Sequence, residues 1–169
     1  MDIRGGEDQL LSRILKLPGC NHVNGVLFEF PDVIGRAKKF LAKEGITDNR
    51  ITFTMGNILK DVLQSTEVDT IIIKNLFVIF TDDHEMIKVL EKCHEILIKG
   101  GKFIIVNSCN PEAGDTDHNV TSSGLHPGFR GIDIMTLRKT GRFRTESEWL
   151  FLIKYLKLVM ALHCLSWHI

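Results

Sequence analysis

The fold is decided by residues 69–108, which read DTIIIKNLFVIFTDDHEMIKVLEKCHEILIKGGKFIIVNS. The three consecutive isoleucines at 71–73 favour a strand that helices cover on both faces, because each face of such a strand is apolar. A second run rich in β-branched residues, at 102–108, predicts the next strand. The stretch is therefore typical of a strand–helix–strand unit, the building block of a parallel sheet.

The segment between these two strands carries the signals of a helix. Thr81 is placed to cap it, and Asp82 and Asp83 suit its positive end. Gly100 and Gly101 are expected to end it. Its apolar stripe consists of Met86, Val89, Leu90, Cys93, Ile96 and Leu97.

The same alternation extends towards the start of the chain. Helical spacing covers residues 8–16, and a short apolar run at 26–30 predicts a strand. A helix is expected from Pro31, whose missing N–H suits a first turn, to Gly45. Alternating residues at 50–55 predict another strand.

Towards the other end the composition changes. Residues 109–131 are rich in Asn, Asp, Gly, Ser and Pro, which predicts a long loop or lid. Residues 132–137 and 144–156 predict helices, and Thr145 with Glu148 forms a capping box at the second. The whole order predicts an α/β fold with a mostly parallel sheet, helices on both faces and ligands beyond the carboxyl ends of the strands.

Composition favours one soluble domain without a nucleic-acid or membrane partner. The chain has 169 residues, and 21 Lys and Arg balance 21 Asp and Glu, so no net charge attracts a polyanion. A local basic cluster is interpreted as a solvated loop, with RNA binding as the less favoured alternative. That cluster consists of Arg138, Lys139, Arg142 and Arg144.

The four cysteines lie far apart and form no CxxC pair, which favours reduced thiols and a cytoplasmic location. Lys154 and Lys157 interrupt the apolar tail, so a membrane span is not expected. The acidic run 82–85 suits a helix start better than a metal site, and no metal is predicted.

Polar residues follow the strands at their carboxyl ends. Gly5 and Gly6 follow the first strand, where backbone N–H groups can meet a polar ligand. Glu29 stands about where an acidic residue bonds a ribose hydroxyl in this architecture. Asn57 could bond an adenine edge, and Lys74 ends the isoleucine strand. Each residue alone is also explained as a turn or surface residue, but together they predict a site shaped for a nucleoside.

These residues lie within longer motifs: FEFPDVI (28–34), TDDHEMIKVLEKCHEILIKGGK (81–102) and GRFRTESEW (141–149). Over residues 2–157 the chain resembles the S-adenosylmethionine-dependent O-methyltransferases of the caffeic acid and acetylserotonin type. The motifs correspond to that family's FDLP segment, its W-S-D-E helix with a glycine pair, and its G-x-ERT-x-x-E segment.

The resemblance implies a Rossmann-like class I methyltransferase fold that takes S-adenosylmethionine as cofactor and a small-molecule hydroxyl as methyl acceptor. It implies a cofactor-binding role for six residues: Gly5 and Gly6 in the glycine loop, Glu29 on the ribose, Asn57 and Ile58 beside the adenine, and Lys74 near the cofactor.

The glycine loop departs from the family pattern D-x-G-G-G-x-G. Arg4 replaces the first glycine and Asp8 replaces the last. Side chains at positions that need a positive φ would be strained. Arg4 is also expected to crowd the cofactor, and its charge to oppose a sulfonium.

The positions that correspond to the catalytic groups have changed as well. Val78 stands at the position of the family's general-base histidine, and Asn107 and Phe143 stand at its two acidic partners. We therefore expect methyl transfer to be weak or lost. The alternative hypothesis is a catalytically inactive module for interaction or regulation; a different cofactor-dependent reaction, such as hydroxylation, has no positive feature.

The resemblance also sets expectations about extent. Residues 1–157 are expected to form an incomplete methyltransferase domain without the final sheet strands, and residues 158–169 a divergent tail. Family members are homodimers, but the helical dimerisation domain is absent from the sequence.

Overall fold

The computed structural model of the protein describes residues 1–61, 63, 67–80, 82–107, 109–110, 112, 141–155 and 160–164, with backbone only at 153, 155 and 160–164. Within these residues six strands form one sheet in the order β3-β2-β1-β4-β5-β6, and every neighbouring pair is parallel. The strands are β1 (Asp2–Ile3), β2 (Gly25–Glu29), β3 (Ile51–Met55), β4 (Val68–Lys74), β5 (Leu97–Asn107) and β6 (Met160–Cys164). The predicted α/β fold with a mostly parallel sheet is confirmed.

The helices follow the predicted order. The described residues contain α1 (Gln9–Leu15), α2 (Pro31–Lys43), α3 (Asp83–Ile96) and α4 (Glu146–Tyr155), with 3₁₀ helices at Asp48–Arg50 and Phe77–Ile79. The predicted capping box at α4 is confirmed: Glu148 accepts a hydrogen bond from the N–H of Thr145 at 2.8 Å, and its own N–H donates to the Thr145 hydroxyl at 3.3 Å.

Apolar side chains cover both faces of the sheet. Leu27 packs in a core with α1 and α2, whereas its neighbour Phe28 packs in a larger core with α3 and α4. Because consecutive side chains of a strand point to opposite faces, the two cores lie on opposite sides of the sheet. The isoleucine strand is buried as predicted, with Ile71 and Ile73 fully enclosed in the larger core.

Two predictions about strands are wrong. The Gly100–Gly101 pair does not end α3, which stops at Ile96; both glycines lie inside β5, which begins at Leu97. The tail was expected to add no strand, but Met160–Cys164 pairs in parallel with β5 from Phe103 to Asn107. An edge strand presents a row of free backbone groups, and an apolar segment of any origin can satisfy them.

Other predictions fall outside the described residues. Thr81 and the predicted helix at 132–137 are among them, as is most of the 109–131 segment. Asp82 caps α3, since its carboxylate accepts a hydrogen bond from the N–H of His84 at 2.8 Å. The boundary between residues 1–157 and 158–169 stays a prediction.

Candidate functional site

The carboxyl ends of the central strands meet at one edge of the sheet. Ile3 pairs with Phe28 and with Ile73, so the turn after β1 lies between the ends of β2 and β4. The same register puts Glu29 beside Met55. The sheet thus brings the predicted residues of three different strands to a single edge.

A cavity of about 290 Å³ lies at this edge. From β1 the chain runs first towards β2 and β3 and then crosses to β4 and β5, so the strand order reverses between β1 and β4. A parallel α/β sheet binds its ligands at this reversal, where the loops of the two halves diverge. Both halves line the cavity: Asp2, Arg4, Gly5, Glu7, Gln9 and Leu10 on one side, Lys74 and Asn75 on the other.

The turn after β1 is compact and strained. A Cβ on Gly5 would stand 2.8 Å from the carboxyl carbon of Asp2, so a side chain does not fit there, and Gly6 has φ +67°. Arg4 and Asp8, the residues that depart from the glycine pattern, have φ 64° and 67°. The expected strain is therefore present, because left-handed backbone is unfavourable for residues with a Cβ.

Arg4 reaches across this turn to Glu29. Its guanidinium donates to Glu29 Oε2 at 2.5 Å and stacks over the ring of Phe30, with 4.0 Å to the ring centroid. The backbone N–H of Phe30 donates to the same oxygen at 2.6 Å. Since Glu29 is only 3% exposed, its carboxylate is enclosed by these partners.

A pair of buried carboxylates lies under the turn. Asp2 and Asp8 are both buried, and their carboxyls hydrogen-bond each other, with the backbone N–H of Leu11 close to Asp8; no cationic side chain in the described residues donates to either of them. Burial raises the pKa of both, and the charge of Asp2 raises the pKa of Asp8 further. The pair therefore retains a proton at pH values where exposed aspartates have lost theirs. Sequence patterns missed this pair, although the position of Asp2 just before a glycine turn was a usable signal.

The other predicted residues take different places. Lys74 is exposed at the end of β4 and lines the cavity. Asn57 caps its own turn, since its side-chain oxygen accepts a hydrogen bond from the N–H of Leu59 at 3.0 Å. Ile58 is buried in the larger core. Lys92 of α3 fastens this turn by donating to the carbonyl oxygen of Ile58 at 2.9 Å.

The three positions that correspond to catalytic groups lie beyond β4 and β5. Val78 is buried in its 3₁₀ helix, and Gly141 packs so closely on it that a Cβ at 141 would overlap the Val78 carbonyl oxygen. Asn107 is buried at the end of β5, with neither amide atom hydrogen-bonded to a described residue. Phe143 is half-buried. None of these three side chains can accept a proton as a general base.

The interpretation of the basic cluster as a solvated loop is wrong for Arg144. Arg144 is fully buried: it donates to Asp83 Oδ1 at 2.5 and 2.9 Å and to the carbonyl oxygens of Phe77 and Phe80 at 3.1 and 3.3 Å. Partial burial alone would raise the pKa of Asp83, but the hydrogen bonds and charges of Arg144 and Arg142 outweigh it and hold that pKa low. This network fastens the segment before α4 to the start of α3.

The O-methyltransferase domain profile matches residues 1–156. The chain belongs to the O-methyltransferase family. Among its relatives are caffeic acid 3-O-methyltransferase from Capsicum chinense, 30% identical over 96% of this chain and 42% of that protein, and anthranilate N-methyltransferase from Ruta graveolens, 28% identical over 88% and 36%. The chain thus spans about two fifths of these relatives' length.

A solved structure shares the fold of this chain. Human N-acetylserotonin methyltransferase in complex with S-adenosylmethionine superposes with a TM-score of 0.70 at 21% identity, over 91% of this chain and 40% of that chain. The Rossmann-like fold implied by the resemblance is therefore confirmed. No helix in the described part of the chain is long and apolar enough to cross a membrane, and no cluster of His, Cys, Asp and Glu there is arranged for a metal.

The described residues test whether S-adenosylmethionine, the cofactor that the resemblance implies, fits this cavity. The turn at Gly5 and the cavity beside Lys74 leave room for a ligand. Glu29 does not fit the ribose in this arrangement, because Arg4 and the N–H of Phe30 already enclose its carboxylate. The cavity lies at the strand-order reversal, and the carboxylate that the resemblance assigns to the ribose is already hydrogen-bonded by the chain itself.

Proposed function

We propose that this chain is the nucleoside-binding part of an O-methyltransferase and takes S-adenosylmethionine or S-adenosylhomocysteine in the cleft between β1 and β4. The observation that carries the proposal is the cavity at the strand-order reversal, lined by Asp2 and Gly5 of the first turn and by Lys74. Family membership supports it, as does the S-adenosylmethionine bound to the structurally similar human enzyme.

We further propose that methyl transfer to a small-molecule hydroxyl is weak or lost in this chain. S-adenosylmethionine supplies a methyl group on a sulfonium, and the acceptor oxygen must give up its proton. Val78, Asn107 and Phe143 provide no base for that proton. Loss of a general base typically lowers the rate by ~10²–10⁴. A phenol would suffer less than an aliphatic alcohol, because its hydroxyl is more acidic.

Isothermal titration with S-adenosylhomocysteine tests the binding half. We expect saturable heat from the unmodified chain and a lower affinity in Lys74→Met, which removes the ammonium at the cavity. Lys99→Met is the matched control, since Lys99 is exposed near the opposite end of its strand. Equal affinity loss in both lysine variants would refute the proposed cleft, as would a flat titration at millimolar ligand both for the unmodified chain and for Arg4→Gly.

A panel of phenols and alcohols with labelled S-adenosylmethionine tests the transfer half. We expect no labelled product, or slow labelling restricted to the most acidic phenols. Fast methylation of an aliphatic alcohol would show that the chain has a base elsewhere, and the proposed loss of transfer would be wrong.

We also propose a cytoplasmic location, a separate point from the chemistry. Cys20 and Cys93 carry free thiols, which suits a reducing compartment. Fractionation of cells that express a tagged chain would test it, and recovery in the secreted fraction would contradict it.

A further inference from the structure

Arg4 forms an ion pair with Glu29, the carboxylate to which the hydroxyls of a ribose would donate. Its guanidinium bonds Glu29 Oε2 at 2.5 Å and covers the neighbouring Phe30 ring at 4.0 Å. Both contacts lie at the end of β2, beside the cavity that Arg4 also lines. A side chain of this protein thus meets the carboxylate where a bound nucleoside would donate its hydroxyls.

The contact is well placed to persist without a ligand. Glu29 is 3% exposed, and the other hydrogen bond to its charge in the described residues comes from the N–H of Phe30. A buried carboxylate that loses a cationic partner is left with an uncompensated charge, so the ion pair is favoured whenever nothing else donates to Glu29.

The same side chain is able to leave. The side chain of Arg4 is 24% exposed. Within the described part of the chain, its guanidinium donates one hydrogen bond, to Glu29. The backbone gains nothing from arginine here, because φ at this residue is 64° and glycine would adopt it without strain. Displacement therefore requires a ligand that replaces the donor on Glu29.

We propose that Arg4 is a built-in competitor for the ribose, and that the affinity of the cleft for adenosyl ligands is set by release of Arg4 from Glu29. This inference rests on the proposed function, since it concerns the same cleft. The competent fraction is the population in which Glu29 is free, and the apparent dissociation constant rises as that fraction falls. Only a ligand with ribose hydroxyls recovers the bond that Arg4 gives up.

Removal of the guanidinium tests the competition. Arg4→Gly relieves the backbone, and Arg4→Asn removes the cation with a residue that tolerates left-handed backbone. We expect both variants to bind S-adenosylhomocysteine at least about tenfold more tightly by isothermal titration. Arg13→Gln is the matched control: Arg13 is exposed in the last turn of α1 and does not line the cavity. Its affinity should equal that of the unmodified chain.

A pair of nucleosides separates ribose competition from simple charge repulsion. Ligand-observed NMR with adenosine should show the gain in both Arg4 variants, whereas 2′,3′-dideoxyadenosine should gain nothing. Glu29→Gln should weaken adenosine binding in the Arg4→Gly background more than in the unmodified chain, because in the latter Glu29 is already occupied.

The outcomes are distinct. Equal affinity of the unmodified chain and both Arg4 variants would overturn the competition while leaving the proposed cleft intact. An equal gain for dideoxyadenosine would also overturn it, because the ribose would play no part. Absence of binding in the unmodified chain and in every Arg4 variant would refute both the competition and the proposed function.

Discussion

The glycine turn after β1 and the junction before α4 (residues 141–145) differ in how their buried charged side chains are compensated. At the turn, no cationic side chain of the described residues donates to the buried carboxyls of Asp2 and Asp8, and Arg4 has a left-handed backbone. At the junction, the buried Arg144 donates to Asp83 and to two backbone carbonyls. One region carries strain and carboxyls without a cationic partner, and the other satisfies its charge.

The difference supports the proposal that the turn, rather than the junction, meets a ligand. Strain and unsatisfied polar groups persist where a binding site needs them, whereas a structural contact tends to be fully paired. The turn keeps this signature although its glycine pattern has changed. The junction lies beside Val78, whose side chain cannot exchange a proton, and there the contacts between Arg144 and Asp83 hold the fold together.

The largest expected effect comes from removing the hydrogen bonds of Arg144 at the junction. Arg144→Met removes the donors to Asp83, Phe77 and Phe80, and should lower the free energy of unfolding by about 3 kcal/mol. Urea unfolding followed by far-UV circular dichroism would measure it. Arg142→Met is the control, because Arg142 pairs with half-exposed carboxylates and should cost about 1 kcal/mol or less. Equal costs for the two variants would remove the contrast between buried and exposed pairs.

Close packing at the junction gives the next effect. Gly141 has φ +104°, and a Cβ there would overlap the backbone of Val78. Gly141→Ala should therefore lower the free energy of unfolding by about 2 kcal/mol in the same assay. Gly35→Ala is the control, since Gly35 lies in α2 with open space around its Cα and should gain up to about 1 kcal/mol. A neutral Gly141→Ala would show that the segment does not dock on Val78.

The buried carboxyl pair of Asp2 and Asp8 should make the free energy of unfolding depend on pH. Because burial and the neighbouring charge raise the native pKa of Asp8 above its ordinary 3.8, the native state binds more protons than the unfolded state above pH 4 or so. Stability should then fall as pH rises, until the pair has lost its last proton. The substitution Asp8→Asn removes the charge, and asparagine tolerates the left-handed backbone at this position. It should flatten the slope of stability against pH and raise the free energy of unfolding at pH 8 by about 1 kcal/mol.

The measurement is a series of urea titrations from pH 5 to pH 9. Asp32→Asn is the control: Asp32 is exposed in the first turn of α2, and its loss should change stability by about 0.5 kcal/mol or less without altering the slope. An unchanged slope in Asp8→Asn would mean that the carboxylate pair carries no cost, and the contrast with the junction would fail.

Local patterns predicted the elements, and long-range contacts escaped them. The isoleucine run, Pro31 and the Thr145–Glu148 box act through neighbours in sequence, and each forms the predicted structure. The burial of Arg144 depends on Asp83, which lies 61 residues away, so its basic neighbourhood alone indicated a solvated loop. The same holds for Arg4, whose partner lies 25 residues away. Of the six residues that the sequence predicts for the cofactor, Gly5 and Lys74 line the cavity, and the ion pair of Arg4 with Glu29 escaped the sequence patterns.

The smallest expected effect comes from removing the Thr145 cap at the start of α4. Thr145→Ala removes the hydroxyl that accepts the N–H of Glu148 at 3.3 Å, and should cost about 0.5–1 kcal/mol of unfolding free energy. Ser147→Ala is the control: it removes the contact of the Ser147 hydroxyl with the Thr145 hydroxyl at 3.0 Å and its hydrogen bond to the fully exposed Glu112 at 3.0 Å, but it leaves Thr145 free to accept from Glu148, so it should change stability by about 0.5 kcal/mol or less. Trp149 is buried one turn further along α4, so its fluorescence would follow both variants. If Thr145→Ala is no worse than Ser147→Ala, the cap adds nothing, and the junction depends on Arg144 and the packing of Gly141 alone.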